Sequence, residues 1–229
     1  MDLAIENYLS GLHTDEATPE DILVWAWKTF APRVAASSSF QTQSVPLLHI
    51  ISRVCPEMPV IFIDTGFHFP ETLEFRELLQ ARLGLNIVIA RPELSRSDLR
   101  LEYGAELYRR DPDLCCQINK VRPLQCALDG MSAWVTGVRH DQTKNRSSLH
   151  DLETQISGVI KIHPLLRWDG AQVEEYRRRY DLPAHPLYEA GYLSVGCAPC
   201  TQPVFNTEDV RAGRWAGTGK RECGLHLDG

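Results

Sequence analysis

The sequence predicts an α/β fold: a mostly parallel sheet with helices on both faces. Three observations support this. Apolar runs that fit buried parallel strands recur at 33–37, 59–63, 86–90, 133–138 and 159–162. Helical patterns separate the first four, which makes βαβ units with right-handed crossovers. The length of 229 residues and the ordinary composition suit one buried α/β core.

The elements follow in order. Thr18-Pro19-Glu20-Asp21 places a capping residue, a proline at the first helical position and acids in the first turn, so a helix runs through Trp25 and Trp27. The helix expected over 70–83 is the clearest, with Leu73, Leu78 and Leu79 on its apolar side and Gly84 as its stop. From Pro183 onward the alternation ends and the chain turns rich in Gly, Pro and Cys. This part reads as an irregular cofactor segment and tail. The whole of 1–229 reads as one domain, with about 206–229 as a mobile catalytic tail.

A net charge of −6 argues against a nucleic-acid binder, which usually gathers a basic excess on one face. Arg177, Arg178 and Arg179 are then the solvated side of a helix. No apolar run approaches the length of a bilayer span, and residues 1–13 lack the basic-then-apolar order of a signal peptide. A cytoplasmic protein with no membrane partner is expected. Its seven cysteines then point to metal binding or thiol chemistry, since cytosolic thiols are kept reduced.

Four of those cysteines form two pairs, Cys115-Cys116 and Cys197-Ala198-Pro199-Cys200. Two pairs together indicate a four-thiolate site, for which zinc and an iron–sulfur cluster both qualify. Adjacent ligands favour the cluster. Zinc half-sites usually space their cysteines by two to four residues, whereas a [4Fe–4S] cluster offers separate irons to neighbouring cysteines. Cys55 and Cys126 stand singly within apolar patterns and read as small buried hydrophobes. Cys223, in KRECGLH, lies near Lys220, Arg221 and His226, where positive neighbours favour the reactive thiolate and Glu222 opposes it.

Ligands of this fold class sit at the carboxyl ends of strands. The loop Ser37, Ser38, Ser39, Phe40 opens a helix and suits an anion. Asp64, Thr65 and Gly66 end the second strand, where the acid meets a ribose hydroxyl or an adenine amine, or else makes an Asx turn. Arg139, Gln142 and Arg146 supply donors at a third strand end. Together the three loops favour a nucleotide site.

On IDTGFHFPET, the CC pair with KVRPL, GVRHDQTKNRS, GCAPCTQP, EDVRAGRW and ECGLH, the chain resembles the sulfonucleotide reductase family from about Val34 to His226. It departs from many members in carrying Gln41 where they have glycine. The resemblance implies an adenine-nucleotide α-hydrolase-like fold. It also implies one [4Fe–4S] cluster per chain on Cys115, Cys116, Cys197 and Cys200, a nucleophile at Cys223, and Lys120, Arg211, Arg214 and His226 at the phosphosulfate. The two cysteine pairs mark the branch that reduces adenosine 5′-phosphosulfate (APS) to sulfite and AMP in sulfate assimilation and cysteine biosynthesis. Thioredoxin or glutaredoxin is the implied reductant, the sulfonucleotide the small-molecule substrate, and a homo-oligomer is compatible. The alternatives are a reductase of the 3′-phosphorylated nucleotide (PAPS) with the same chemistry, or an ATP pyrophosphatase of the same fold.

Overall fold

The structure, a computed structural model, describes residues 17–205, 209–218, 220, 222, 224 and 225. Its centre is a six-stranded sheet in the order β3-β2-β1-β4-β6-β5. The strands are β1 (Val34–Ser37), β2 (Val60–Ile63), β3 (Ile87–Ala90), β4 (Ala133–Thr136), β5 (Leu152–Thr154) and β6 (Ile160–Ile162). All pair in parallel except β5, which runs antiparallel to β6 at one edge. Five strands fall where the apolar runs predict them. β5 escapes a pattern search because three residues, Leu-Glu-Thr, are too few to show alternation. β4 stops at Thr136, short of the predicted 138, because Gly137 and Val138 turn into a loop.

Successive strand residues face opposite sides, and each side has its own cover. Val34, Ala36, Val60, Phe62, Ala133 and Val135 share one core with α1 (Pro19–Phe30), α2 (Val45–Val54) and α3 (Pro70–Leu83), and Tyr176 of α8 (Gly170–Arg179) packs against it. The alternate residues Ala35, Ile61 and Trp134 meet Leu124 of α7 (Arg122–Ala127), with Leu128 just beyond. Helices therefore lie on both faces, as expected.

α1 begins as predicted: Asp21 N donates to Thr18 Oγ1 at 3.2 Å, and Thr18 N to Asp21 Oδ2 at 3.0 Å. α3 spans the predicted residues and stops at Gly84 in the left-handed region, φ 64°. Its buried face differs, however. Thr72, Phe75 and Leu79 are buried and Leu73 is partly so, while Leu78 is 49% exposed. Buried positions 72, 75 and 79 step by three and four, and Leu78 falls outside that stripe.

Between β3 and β4 the chain forms α4 (Arg96–Tyr103), α5 (Leu107–Arg110), α6 (Pro112–Cys116) and a π-helical turn (Gln117–Val121) before α7. Pro123 cannot donate a backbone hydrogen bond to the preceding turn, and a widened turn absorbs that loss. Cys115, Cys116 and Lys120 all lie on this stretch. Cys55 is buried as expected, but Cys126 is exposed, because it sits on the outward side of α7.

Candidate active site

A cleft of about 150 Å³ opens at the carboxyl ends of β1, β2 and β4. Ser37, Ser38 and Ser39 line it, as do Thr65, Gln142 and Arg146, so each of the three predicted loops contributes. Lys120, Arg211, Arg214, Trp215 and Cys197 form further wall. A single space thus gathers hydroxyls, four cations and a cysteine of the second pair, residues drawn from distant parts of the chain.

Several predicted residues lie elsewhere. Phe40 is fully buried, φ 53°, with its ring edge-on to Phe62 at 5.5 Å. Its side chain serves the core rather than the cleft. Asp64 makes the Asx turn, accepting from Gly66 N at 3.2 Å, and pairs with Arg91 at 3.3 Å. Gly66 has φ 72° and does not line the cleft. Arg139 is 1% exposed, held by both oxygens of Asp141 at 2.9 and 3.1 Å and by Gln43 at 3.0 Å. It braces the loop from below. Cys223 and His226 lie outside the described residues.

Gln41, the departure from the glycine common in the first loop, has a visible use. Its Oε1 accepts from Val195 N at 3.0 Å and Ser194 Oγ at 3.4 Å, tying the serine loop to the Gly196-Cys197 segment. That segment is further held by Ala198 N donating to Phe67 O at 2.7 Å and Thr201 Oγ1 donating to Cys197 O at 2.9 Å. A Cβ at Gly196 would collide with the Arg214 guanidinium, so only glycine lets that cation lie across the cysteine loop. Arg214 is 7% exposed and stacks over Trp215 at 4.5 Å, donating to Val195 O at 3.4 Å. Among the described residues no carboxylate pairs with it.

The four paired cysteines border a second, very small space with Lys120 and Asn119. Among the described residues no three His, Cys, Asp or Glu side chains stand in place to hold a single metal ion. Four cysteines line this one gap and none is in a disulfide, a donor set that suits a thiolate-bound metal centre. Burial, then the sulfurs of Cys116, Cys197 and Cys200, push the Cys115 thiol up to about 12. Burial and Cys197 push Cys200 up to about 11. Burial opposes ionising Cys197 too, but Lys120, the Thr65 hydrogen bond at 3.4 Å and Arg214 outweigh it and hold that thiol below its ordinary value.

Sequence reasoning missed the role of Glu222. This carboxylate is 3% exposed and accepts from Arg146 Nε at 3.0 Å and Nη2 at 2.8 Å, a bidentate pair. Thr143 Oγ1 adds a bond at 2.9 Å and Arg211 Nη2 one at 3.4 Å. Burial raises the Glu222 pKa, but Arg146, Arg211 and Thr143 together pull it below the glutamate range. Lys220 pairs with Asp113 and lies 5.7 Å from the Trp215 ring centre.

This arrangement has counterparts. The chain is similar to an adenosine 5′-phosphosulfate reductase of Streptomyces coelicolor, 41% identical over 218 residues that cover 95% of this chain and 92% of that protein. It is also similar to adenosine 5′-phosphosulfate reductase 2 of Bacillus subtilis, 41% identical over 223 residues, covering 96% and 94%. The crystal structure of a phosphoadenylyl-sulfate reductase from Candida auris, a phosphate complex, superposes with a TM-score of 0.74 at 32% identity, covering 85% of this chain and 94% of that one. The family model for the phosphoadenosine phosphosulfate reductase domain matches residues 33–203, which include the sheet, the strand-end loops and all four paired cysteines. A chain that carries this domain across most of its length, with the cationic cleft where the fold puts its ligands, belongs to the sulfonucleotide reductase family.

Proposed function

We propose that the chain reduces adenosine 5′-phosphosulfate to sulfite and AMP, with a protein dithiol of the thioredoxin or glutaredoxin class as reductant. The observation that carries this reading is the joint lining of one cleft by Lys120, Arg211, Arg214 and Cys197. The Cys223 thiolate attacks the sulfate sulfur; an S–S bond forms, the S–O bond to AMP breaks, and AMP leaves as a phosphate anion. A reductant thiolate then attacks Cys223 Sγ, sulfite leaves, and the reductant closes to a disulfide through its second thiol. Both electrons come from thiols.

The electrostatic difficulty is an anionic thiolate approaching an anionic ester. Preorganised cations where charge develops meet it, which is the role of Lys120, Arg211 and Arg214, with His226 assisting. Cys115, Cys116, Cys197 and Cys200 would hold one [4Fe–4S] cluster, which when bound supplies a rigid, negatively charged body against which Lys120 is set. The serine loop and Thr65 hold the nucleotide. Residues 1–229 act as one domain whose segment 206–229 moves to deliver Cys223, in the cytoplasm. No described helix is long and apolar enough to cross a membrane.

APS is favoured over PAPS because the extra phosphate carries roughly −1.5 to −2 charges and needs its own cations. Arg146 is bound by Glu222 and Arg139 by Asp141, so neither is spare. A sulfite-release assay on anaerobically purified protein should give a kcat/KM for APS at least about tenfold above PAPS, about 1.4 kcal/mol. Equal efficiencies would reject the APS assignment.

A further inference from the structure

Helical side chains lean back over the turn before them, so in the π-helical turn Gln117–Val121 the side chain of Asn119 reaches Cys115. Asn119 is 3% exposed and borders the same small gap as the four paired cysteines. Its Nδ2 donates to the Cys115 carbonyl oxygen at 2.9 Å and to Cys115 Sγ at 3.6 Å, a bonding distance for an acceptor as large as sulfur. A carbonyl only accepts, so the amide nitrogen, not the amide oxygen, faces this way. That nitrogen carries two hydrogens, and the two acceptors of Cys115 take one each. Among the described residues no other group donates to the Cys115 sulfur, whereas Cys197 Sγ meets the Thr65 hydroxyl at 3.4 Å.

A buried cysteine that binds metal does so as a thiolate, with lone pairs left over after ligation and no water to meet them. A donor aimed at such a sulfur fixes its direction and draws off part of its negative charge. Resting on the reading of the four paired cysteines as ligands of one iron–sulfur centre, we infer that Asn119 is a positioning residue of that centre. One amide N–H holds the Cys115 sulfur in its ligating place, and the other pins the amide to the Cys115 backbone. The next residue, Lys120, borders both this gap and the cleft. The turn thus gives the cysteine site a neutral donor and, one residue on, places a cation between the two sites.

Asn119→Leu tests this, because it keeps much of the volume and removes both donors. The anaerobic holoprotein is challenged with an iron chelator in the absence of substrate, and its thiolate-to-iron absorption is recorded. Iron should leave about ten- to a hundredfold faster than from wild type, the range for removing the partner of a metal ligand. The absorption should move to longer wavelength, since a thiolate relieved of its hydrogen bond donates charge more readily. AMP binding should stay within about threefold, because the serine loop and Arg214 are untouched. Asn119→Ala is read in the same way where leucine does not fit. An unchanged rate of iron loss overturns the inference, and so does faster loss with an unmoved band, which shows that Asn119 only fills space. Wild-type protein that holds no iron on these cysteines instead overturns the reading of the site.

Discussion

Glu222→Gln isolates the contact that ties the tail to the cleft. In the folded protein the carboxylate receives both arms of Arg146, the Thr143 hydroxyl and, at longer range, Arg211. Breaking a buried ion pair outright costs about 3–5 kcal/mol. Glutamine keeps the shape and one acceptor, so the relevant loss is that of a hydrogen bond to a charged group, about 1.5–3 kcal/mol. At about 1.4 kcal/mol per decade this lowers the fraction of docked tail roughly 10- to 150-fold. Because Cys223 is the next residue in the chain, the rate of S-sulfonation should fall by the same factor. A single turnover with APS and no reductant, quenched and read by mass spectrometry on the Cys223 peptide, measures it. AMP binding should stay within about threefold, since the serine loop and Thr65 are untouched. The Glu222 pKa is depressed by its partners, so its contribution is complete above the unfolded glutamate value of about 4.3 and is lost only as pH falls through the lowered one. Docking should therefore not vary with pH between about 6 and 8. A variant that sulfonates within twofold of wild type would refute the reasoning.

Three further outcomes follow from the site. Anaerobic protein should be brown with about four irons per chain, and Cys116→Ser should lose iron and activity together; stoichiometric zinc without visible absorption would contradict both. Cys223→Ser should keep colour and AMP binding while sulfite release disappears, and wild type treated with APS alone should carry one sulfonate on the Cys223 peptide; an adduct on Cys55 or Cys126 would overturn the nucleophile. Gly196→Ala puts a methyl group into the space of the Arg214 guanidinium. It should lower kcat for APS by about ten- to a hundredfold, as expected on displacing one charge-stabilising donor, with iron content retained, and an unchanged kcat would show that Arg214 need not lie across that loop.

The sheet was legible because its strands are continuous apolar runs: burial on both faces explains VIFI in β2, while the edge strand β3 keeps the run IVIA although Val88 and Ile89 are exposed. α1 and α3 were legible at their ends, where Thr18, Pro19, Pro70 and Gly84 act through local backbone chemistry. What failed was the assignment of faces. Leu78 and Leu79 look equivalent as letters, yet one is half exposed and the other buried, because the sheet beneath decides which stripe of α3 is covered. Phe40 failed for the same reason: its loop reaches the cleft while its side chain turns into the core.

The site shows a sharper limit, which concerns charge. In the sequence Arg139, Arg146, Arg211 and Arg214 are four cations near candidate loops, with nothing to rank them. The fold ranks them by counter-ion. Arg139 is held by Asp141, Arg146 by Glu222 at the tail, Arg211 partly by that same Glu222, and Arg214 by no described carboxylate. Those pairings span as many as 76 residues of chain, and no local pattern reports them. An anion entering the cleft gains most from a cation that is already desolvated and unneutralised, since its partner is stripped of water and the medium screens little. Arg214 is that cation among the described residues. Arg211 can serve only as far as Glu222 shares it. The tail carboxylate thus withdraws Arg146 from competition for an entering anion's charge.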